Sequence, residues 1–259
     1  MKWLKFFIGL CFFLFIFSLS LEPGTVVNLD KQNLAPSLTH YFGTDELGRD
    51  LFHRCLYALK ISLFVGCAAT AIDMIFGALF GALAALLKAP YSSLMNRFLD
   101  IVSTLPQMLL SIIILMIIKN GFYSLIIAIS LTGWLSTARA VRAEMLKLKK
   151  MEFIKALKGL GFSSKTIILK HLLPSCLPTL FVSSALCLPS AIFSEAFMSF
   201  LGLGVRPPIP SLGNMIADSL PALSYYPWRL LFPAGMIFVL IFCLQQVIDR
   251  LKIRLGKSL

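Results

Sequence analysis

MEFIKALKGLGFSSKTIILKHLLPS, residues 151–175, is a basic and polar stretch that lies between two strongly apolar runs. Together with the residues that precede it from Arg139, it contains nine Lys or Arg and only two acids, Glu144 and Glu152. Such a charge density excludes the segment from the hydrocarbon core of a bilayer. We therefore expect it to lie on one side of a membrane, where it can present a helical surface to a partner.

The composition of the chain indicates an all-α membrane protein. Of the 259 residues, 58% are apolar and 14% are charged, whereas soluble domains average about 45–50% and about 25%. A core of this size cannot cover so much apolar surface, so a bilayer must cover the excess. The net charge of +12 would suggest nucleic acid binding in a soluble protein, but cytoplasmic loops of membrane proteins also collect Lys and Arg.

Six apolar stretches approach or exceed the roughly 20 residues that a helix needs to cross the bilayer. They are Trp3–Leu21, Ile61–Leu87, Phe98–Ile118, Phe122–Ala138, Cys176–Leu201 and Leu230–Ile248. The first stretch lacks an A-x-A-like cleavage site before Glu22, so we interpret it as an uncleaved anchor rather than a signal peptide.

The spans divide the chain into three parts. Residues 1–21 form the predicted anchor helix, and residues 22–60 form a polar loop that contains Pro and Gly breakers. Residues 61–259 form a five-helix core, which includes the basic loop 139–175 and a second polar loop at 204–229. The five prolines of the second loop predict a compact loop or a short re-entrant piece rather than one regular helix.

The distribution of basic residues predicts the orientation. If the N-terminus is cytoplasmic, the inside segments are 1–5, 88–97, 139–175 and 249–259, and they contain 17 of the 24 Lys and Arg. The positive-inside rule then places both termini and the basic segment 139–175 in the cytoplasm, with loops 22–60 and 204–229 outside.

Residues 151–175 have the pattern of two helices separated by a turn. The first is predicted over Glu152–Leu160, with apolar residues on one face at Phe153, Ala156, Leu157 and Leu160. Gly161 suits the left-handed residue that ends many helices, and Ser163 or Ser164 can cap a second helix that ends at Pro174. This amphipathic element either lies on anionic headgroups or docks a partner.

Catalytic and metal-binding motifs are missing from the sequence. It contains no GxxxxGK[ST] phosphate loop, no nucleophile elbow and no paired catalytic acids. The six cysteines and the residues His40, His53 and His171 lack metal-type spacing, so we predict neither a disulfide nor a metal site. Any energy from ATP must therefore come from a separate subunit.

The segment 151–175 resembles the coupling loop, or EAA loop, of ATP-binding-cassette importer permeases. Lys155-Ala156-Leu157 stand at the EAA positions, Gly161 at the glycine and Leu173-Pro174 at the closing pair. The family's Glu is replaced by Lys155 and its second Ala by Leu157. The resemblance implies contact with an ATPase through Glu152, Lys155, Ala156, Leu157, Gly161, Leu173 and Pro174.

Three further stretches resemble the permeases of dipeptide, oligopeptide and nickel importers. Residues 42–51, FGTDELGRDL, resemble the G-T-D-x-x-G-R-D motif through Gly43, Thr44, Asp45, Gly48, Arg49 and Asp50. Residues 194–211, SEAFMSFLGLGVRPPIPS, and the pairing of Tyr226-Pro227-Trp228 with Phe232-Pro233 resemble two later motifs. The similarity runs from about Tyr41 to the C-terminus and is greatest to the second, or C-type, permease of the pair.

This resemblance implies a type I importer permease fold with six transmembrane helices and a cytoplasmic coupling helix. It also implies a bacterial inner membrane location, a heterodimer with a second permease, two ATPase subunits and an extracytoplasmic solute-binding protein. No cofactor is expected in this chain, because the partner ATPase would bind ATP and Mg²⁺. Short peptides are the first substrate choice and nickel or its chelates the second. A secondary transporter would require inverted repeats and several intramembrane charges, which are not evident.

Two groups of polar residues have open roles. Asp45, Arg49 and Asp50 can form surface ion pairs across a turn at Gly48, worth about 0–1 kcal/mol, or they can contact another subunit. Two acids lie inside predicted spans, where acids commonly mark pathways or buried pairs.

The first intramembrane acid, Glu195, can be satisfied structurally by Ser194 and Ser199 or can act in translocation. The second, Asp73, lies in the middle of its span with no basic residue facing it. We expect Asp73 to face the protein interior or a wet cavity. Pro106, Pro189 and Pro233 predict kinks in their helices.

Overall fold

The computed structural model describes residues 24, 26–118 and 121–256, and within them the chain folds into α-helices without a β-strand. The helices are α1 (Leu51–Leu86), α2 (Tyr91–Ser103), α3 (Gln107–Ile118), α4 (Phe122–Leu148), α5 (Glu152–Gly159), α6 (Ser164–Ile167), α7 (Leu173–Phe200), α8 (Leu212–Ser219) and α9 (Trp228–Gly256). A π-helical turn, Ile168–Leu172, joins α6 to α7. The anchor predicted at residues 1–21 lies outside the described residues.

Length and composition allow four of these helical stretches to cross a membrane. They are Leu51–Leu86, Phe122–Leu148, Ser164–Phe200 and Trp228–Ile253. A fifth span is formed if α2 and α3, which meet at a bend of 88°, count as one broken span. The predicted class, an all-α membrane protein, is confirmed, and these five regions correspond to the five spans predicted after the anchor.

Two predicted helix limits on the N-terminal side are wrong. The polar loop predicted to reach residue 60 ends at Asp50, whose carboxylate caps α1 by accepting a hydrogen bond from the backbone N–H of His53 at 3.0 Å. The continuous span predicted over Phe98–Ile118 is broken between α2 and α3. The break ends at Pro106, whose missing N–H and fixed φ oppose helix continuation.

The kink predicted at Pro106 is confirmed by the bend of 88° between α2 and α3, whereas the kinks predicted at Pro189 and Pro233 stay predictions. Pro189 and Pro233 lie inside α7 and α9, which continue through them.

Helix α4 continues ten residues beyond Ala138, the end predicted for its span. Hydropathy marks only the part of a helix that lies in lipid, so it does not detect a polar extension of the same helix.

Helices α1, α4 and α7 form the centre of the fold. A buried cluster joins them, and it includes Val65 and Ala69 of α1, Ile129 of α4, and Ala191 and Met198 of α7. Small residues such as alanine allow membrane helices to approach closely, which strengthens van der Waals packing where lipid offers no hydrophobic driving force.

Two further clusters lie at opposite ends of α1. At its start, Leu51 and Cys55 pack in a cluster with Leu212 and Met215 of α8. At its end, Ala85 belongs to a cluster that includes Met145 of α4, Ile154 of α5 and Ile167 of α6. Because a 36-residue helix is about 54 Å long, loop 26–50 and the 151–174 segment lie at opposite ends of the protein.

The 151–174 segment has the predicted turn. Gly161 follows α5 with φ of +81°, and the hydroxyl of Ser163 accepts a hydrogen bond from the N–H of Thr166 to cap α6. The prediction that the second helix ends at Pro174 is wrong. The helical path continues through the π-helical turn into α7, and Pro174 lies in the first turn of α7.

Residues 204–229 contain a short helix in their centre. Helix α8 and a 3₁₀ turn, Leu220–Ala222, follow the prolines at 207, 208 and 210. Contacts with α7 and α9 hold α8 against the bundle. The predicted compact loop is therefore present, and its helix closes the same end of the bundle as loop 26–50.

Candidate functional site

Loop 26–50 is organised around a buried carboxylate, Asp45. One oxygen accepts hydrogen bonds from the backbone N–H groups of Leu47 and Arg49, at 2.9 and 3.0 Å. The other accepts from Nε of Arg49 at 2.7 Å and from the guanidinium of Arg54. The predicted ion pair between Asp45 and Arg49 is therefore present, but Asp45 is only 3% exposed, so the expected surface location of the pair is wrong.

The other motif residues complete this loop. The hydroxyl of Thr44 donates to the carbonyl of Lys31 at 2.5 Å and accepts from the N–H of Leu34 at 2.8 Å. Gly43 and Gly48 have φ values of +76° and +69°, so both occupy turns that favour glycine. The motif therefore builds an ordered loop, as one of its two interpretations expected.

Asp50 binds histidines instead of Arg49. Its carboxylate contacts Nδ1 of His40 at 2.8 Å and Nδ1 of His53 at 3.0 Å. Burial raises the pKa of Asp50, but the hydrogen bonds from His40 and His53 outweigh burial and hold that pKa below its ordinary value. The sequence did not reveal these pairs, because His40 lies ten positions away across a loop.

Glu195 is a fully buried hydrogen-bond centre. Its carboxylate accepts hydrogen bonds from Ser62 of α1 at 2.5 Å, from Ser199 of α7 at 2.9 Å and from Ser211, the cap of α8, at 2.8 Å. The predicted partner Ser199 is confirmed, whereas Ser194 makes no hydrogen bond to Glu195. Three parts of the chain therefore donate hydrogen bonds to this buried acid, which supports the interpretation that Glu195 has a structural role.

Asp73 lies at the junction of α1 and α4 and is 1% exposed. Its carboxylate rests on Gly133, where a Cβ atom would stand 2.1 Å from Oδ2. Oδ1 has no hydrogen-bond partner in the described part of the chain. The expectation that Asp73 faces the protein interior is confirmed.

A polar groove begins at Asp73. A cavity of about 390 Å³ is bordered by Asp73, Gln107, Ser136, Ser183, Cys187 and Ser190, among other residues. An adjoining cavity of about 500 Å³ shares Gln107 and Ser190 and extends to Gln245. We call these seven residues the polar groove. Gln107, Ser136, Ser190 and Gln245 are exposed in the single chain, and polar side chains are costly against lipid.

The 151–174 segment presents two different apolar sides. Ile154 of α5 is buried, and half-buried Leu157 packs in the same cluster, at the end of α1 and α4. Phe153 and Leu160 point away and are 42% and 74% exposed. The predicted single apolar face is therefore wrong. Phe153 and Leu160 have helical spacing but are exposed, whereas Ile154, which the prediction left out, packs α5 against the core.

The remaining residues of the predicted coupling pattern lie around this surface. Those exposed on or near α5 and at the start of α7 are Glu152, Lys155, Ala156, Gly161, Leu173 and Pro174. Lys149, just before α5, donates from Nζ to the carbonyl of Ala85 at 2.8 Å. This bond satisfies a terminal carbonyl of α1 and ties the segment to the end of that helix.

Glu195 generates a stability prediction. Replacing Glu195 with Ala leaves three buried hydroxyls without their acceptor, and each unsatisfied group costs about 1–3 kcal/mol. Glu195→Gln keeps the shape and one acceptor oxygen, so it should destabilise the protein less. Thermal unfolding of the purified protein in detergent should give midpoints in the order wild type, Gln variant, Ala variant. An unchanged midpoint for Glu195→Ala would contradict a structural role.

Comparison with known proteins places this geometry among transport proteins. A family described as "Binding-protein-dependent transport system inner membrane component" matches residues 77–257. The oligopeptide transport system permease protein OppC of Bacillus subtilis (strain 168) is 40% identical over 235 residues, which cover 91% of this chain and 77% of the relative. The dipeptide transport system permease protein DppC of the same organism is 40% identical over 259 residues, covering 97% and 81%.

Solved structures share the fold. Inward-facing conformations of the MetNI methionine ABC transporter match with a TM-score of 0.66 at 17% identity, covering 78% of this chain and 95% of that one. An amino acid ABC transporter crystallised with histidines matches with a TM-score of 0.57 at 13% identity. At such low identity these similarities establish the fold alone.

Proposed function

Because the chain belongs to the family of binding-protein-dependent transport system inner membrane components, we propose that it is the permease subunit of an ATP-driven importer of short peptides. The observation that carries this proposal is the 40% identity to an oligopeptide and a dipeptide permease over nearly the whole chain. Two other stretches, 42–51 and 194–211, resemble permeases of peptide and nickel importers. They support the proposal independently of the 151–174 segment.

The orientation that we propose has both termini and the 151–174 segment in the cytoplasm. The concentration of basic residues in the inside segments supports it. So does the separation of the 151–174 segment from loop 26–50, which cluster with opposite ends of α1. Loop 26–50 and α8 would then face the extracytoplasmic binding protein of a bacterial inner membrane importer.

An ATPase subunit is the partner that we propose for the exposed side of the 151–174 segment. Phe153 and Leu160 offer apolar contacts, and Lys155 and Lys158 surround them with positive charge. Exposed apolar side chains rimmed by polar ones are typical of interaction sites. Two such ATPase subunits, which would bind ATP and Mg²⁺, would supply the energy that this chain has no motif to obtain.

Movement would reach the membrane through the buried side of the same segment. Ile154 and Ile167 pack with Met145 of α4 and Ala85 of α1, so a displacement of α5 is transmitted to the central helices. In an alternating-access cycle, the ATPases would favour one arrangement of these helices through a difference in affinity for the two states. The polar groove would face the second permease of a heterodimer and form part of the path.

Uptake measurements test the function directly. A strain that lacks its own peptide importers, complemented with this chain and its partner subunits, should accumulate labelled trialanine, and an excess of Ni²⁺ should not compete. An ATPase variant that cannot hydrolyse ATP should abolish accumulation. Uptake of nickel without peptide would support the second substrate choice, and peptide uptake that survives loss of ATP hydrolysis would indicate a secondary transporter.

Gly161 provides a test of coupling. Gly161→Val should reduce uptake at least about tenfold while ATP hydrolysis continues, because a β-branched residue is strained at φ of +81° and displaces the turn after α5. Gly159→Val is the matched control, since neither glycine has an atom near the added Cβ and Gly159 lacks a positive φ. Equal uptake by the two variants would contradict the role of the turn.

A further inference from the structure

We propose that Asp73 is a binding site for a protonated amine in the polar groove, and that it receives the α-ammonium group of a peptide during translocation. This inference rests on the proposed function and assigns a chemical role to one residue of the path. The role requires a carboxylate without an internal partner, a fixed place for it, and a cavity beside it that suits a cation.

Asp73 is the exception among the buried acids. Asp45 is paired with two arginines, and Glu195 accepts from three serines. Asp73, by contrast, forms no ion pair within the described residues, and its Oδ1 is buried without a hydrogen-bond donor. A buried carboxylate is costly unless it is paired. A donor brought by a ligand would remove that cost.

The position of this carboxylate depends on two helices. The side chain extends from α1 over Gly133 of α4, in a space that any Cβ at position 133 would fill. The absence of a side chain at this one position therefore allows the carboxylate to reach the junction. Close approach of this kind gives glycine a specific function in helix packing.

The cavity beside Asp73 suits an ammonium group better than an anion. Its polar border consists of Asp73 and neutral groups of Gln107, Ser136, Ser183, Cys187 and Ser190, with no Lys or Arg. An ammonium group has three N–H donors and no acceptor, which one carboxylate and neighbouring hydroxyl or amide oxygens can satisfy. The volumes of about 390 and 500 Å³ lie within the range of about 300–1,000 Å³ that is usual for small-molecule sites.

Access to Asp73 depends on the conformation. Because only 1% of the residue is exposed, an amine can reach the carboxylate only when α1 and α4 rearrange around the cavity. An alternating-access cycle supplies such a rearrangement. The site would therefore be occupied in one state of the cycle and closed in the other.

Cys187 provides a local probe of the charge at this site, because it borders the same cavity. The other five cysteines are replaced, and the assembled transporter is reconstituted in liposomes. The rates at which Cys187 reacts with a trimethylammonium and a sulfonate methanethiosulfonate are then compared. Asp73→Asn should lower the cation-to-anion rate ratio at least fivefold. Asp249→Asn, the same change at an exposed carboxylate, should leave the ratio unchanged.

Ligand protection and uptake complete the test. Trialanine should slow modification of Cys187 in the wild-type protein, whereas N-acetyltrialanine should not. Asp73→Asn and Gly133→Ala, which displaces the carboxylate without removing it, should each reduce trialanine uptake at least tenfold in transporters that still assemble. Normal uptake by both variants, or equal protection by the two peptides, would overturn the amine site. Failure of the wild-type protein to accumulate any peptide would instead contradict the proposed function, while the rate ratio would still decide whether Asp73 attracts cations.

Discussion

The hydrogen bonds that three serines donate to Glu195 hold the end of this bundle together. A bilayer supplies no water to satisfy polar groups, so each buried polar atom needs a partner within the protein. Glu195 meets that requirement by joining α1, α7 and the start of α8. The loop beyond them follows the same rule through Asp45, which binds two arginines and two backbone N–H groups. Among the buried carboxylates of the described residues, only that of Asp73 has an oxygen without such a donor, and we assign this position to a ligand rather than to the fold.

Helix α4 connects the polar groove with the 151–174 segment. Its Gly133 and Ser136 border the polar groove, and its Met145 packs against the cluster that anchors α5 and α6. The helix continues beyond the apolar stretch that predicts its span, so one rigid element extends from the membrane centre to the 151–174 segment. In the proposed mechanism, a displacement of α5 would reach the groove through α4, against which α1 and α7 pack.

The sequence predicted elements whose cause is local. The apolar stretches predicted five of the spans, the conformational freedom of Gly161 predicted the turn, and the hydroxyl of Ser163 predicted the cap of α6. These features depend on residues within one or two turns of each other. Lys155 in place of the family's Glu was also visible, and its exposed position places that difference on the surface proposed for the ATPase.

The features that the sequence missed depend on distant contacts. Ser62 lies 133 positions from Glu195, so no periodicity could pair them. The burial of Asp45 depends on its contact with Arg54, which only the folded loop creates. The side of α5 that packs inward was mistaken because Phe153 and Leu160 have helical spacing with Leu157, whereas the core contacts come from Ile154 and Leu157. The 88° bend lies where Pro106 predicted a kink, but hydropathy alone predicted one continuous span because it does not record where a span is broken.

Co-purification of the ATPase with this chain tests the central claim, that the exposed side of the 151–174 segment is the docking surface. Leu160 and Leu38 are both strongly exposed, at 74% and 92%, and the structure places them at opposite ends of the bundle. Leu160→Asp should reduce the ATPase recovered with the tagged permease by at least about tenfold, which corresponds to about 1.4 kcal/mol of binding free energy, while Leu38→Asp should leave the recovery unchanged. Equal recovery with both variants would contradict the account.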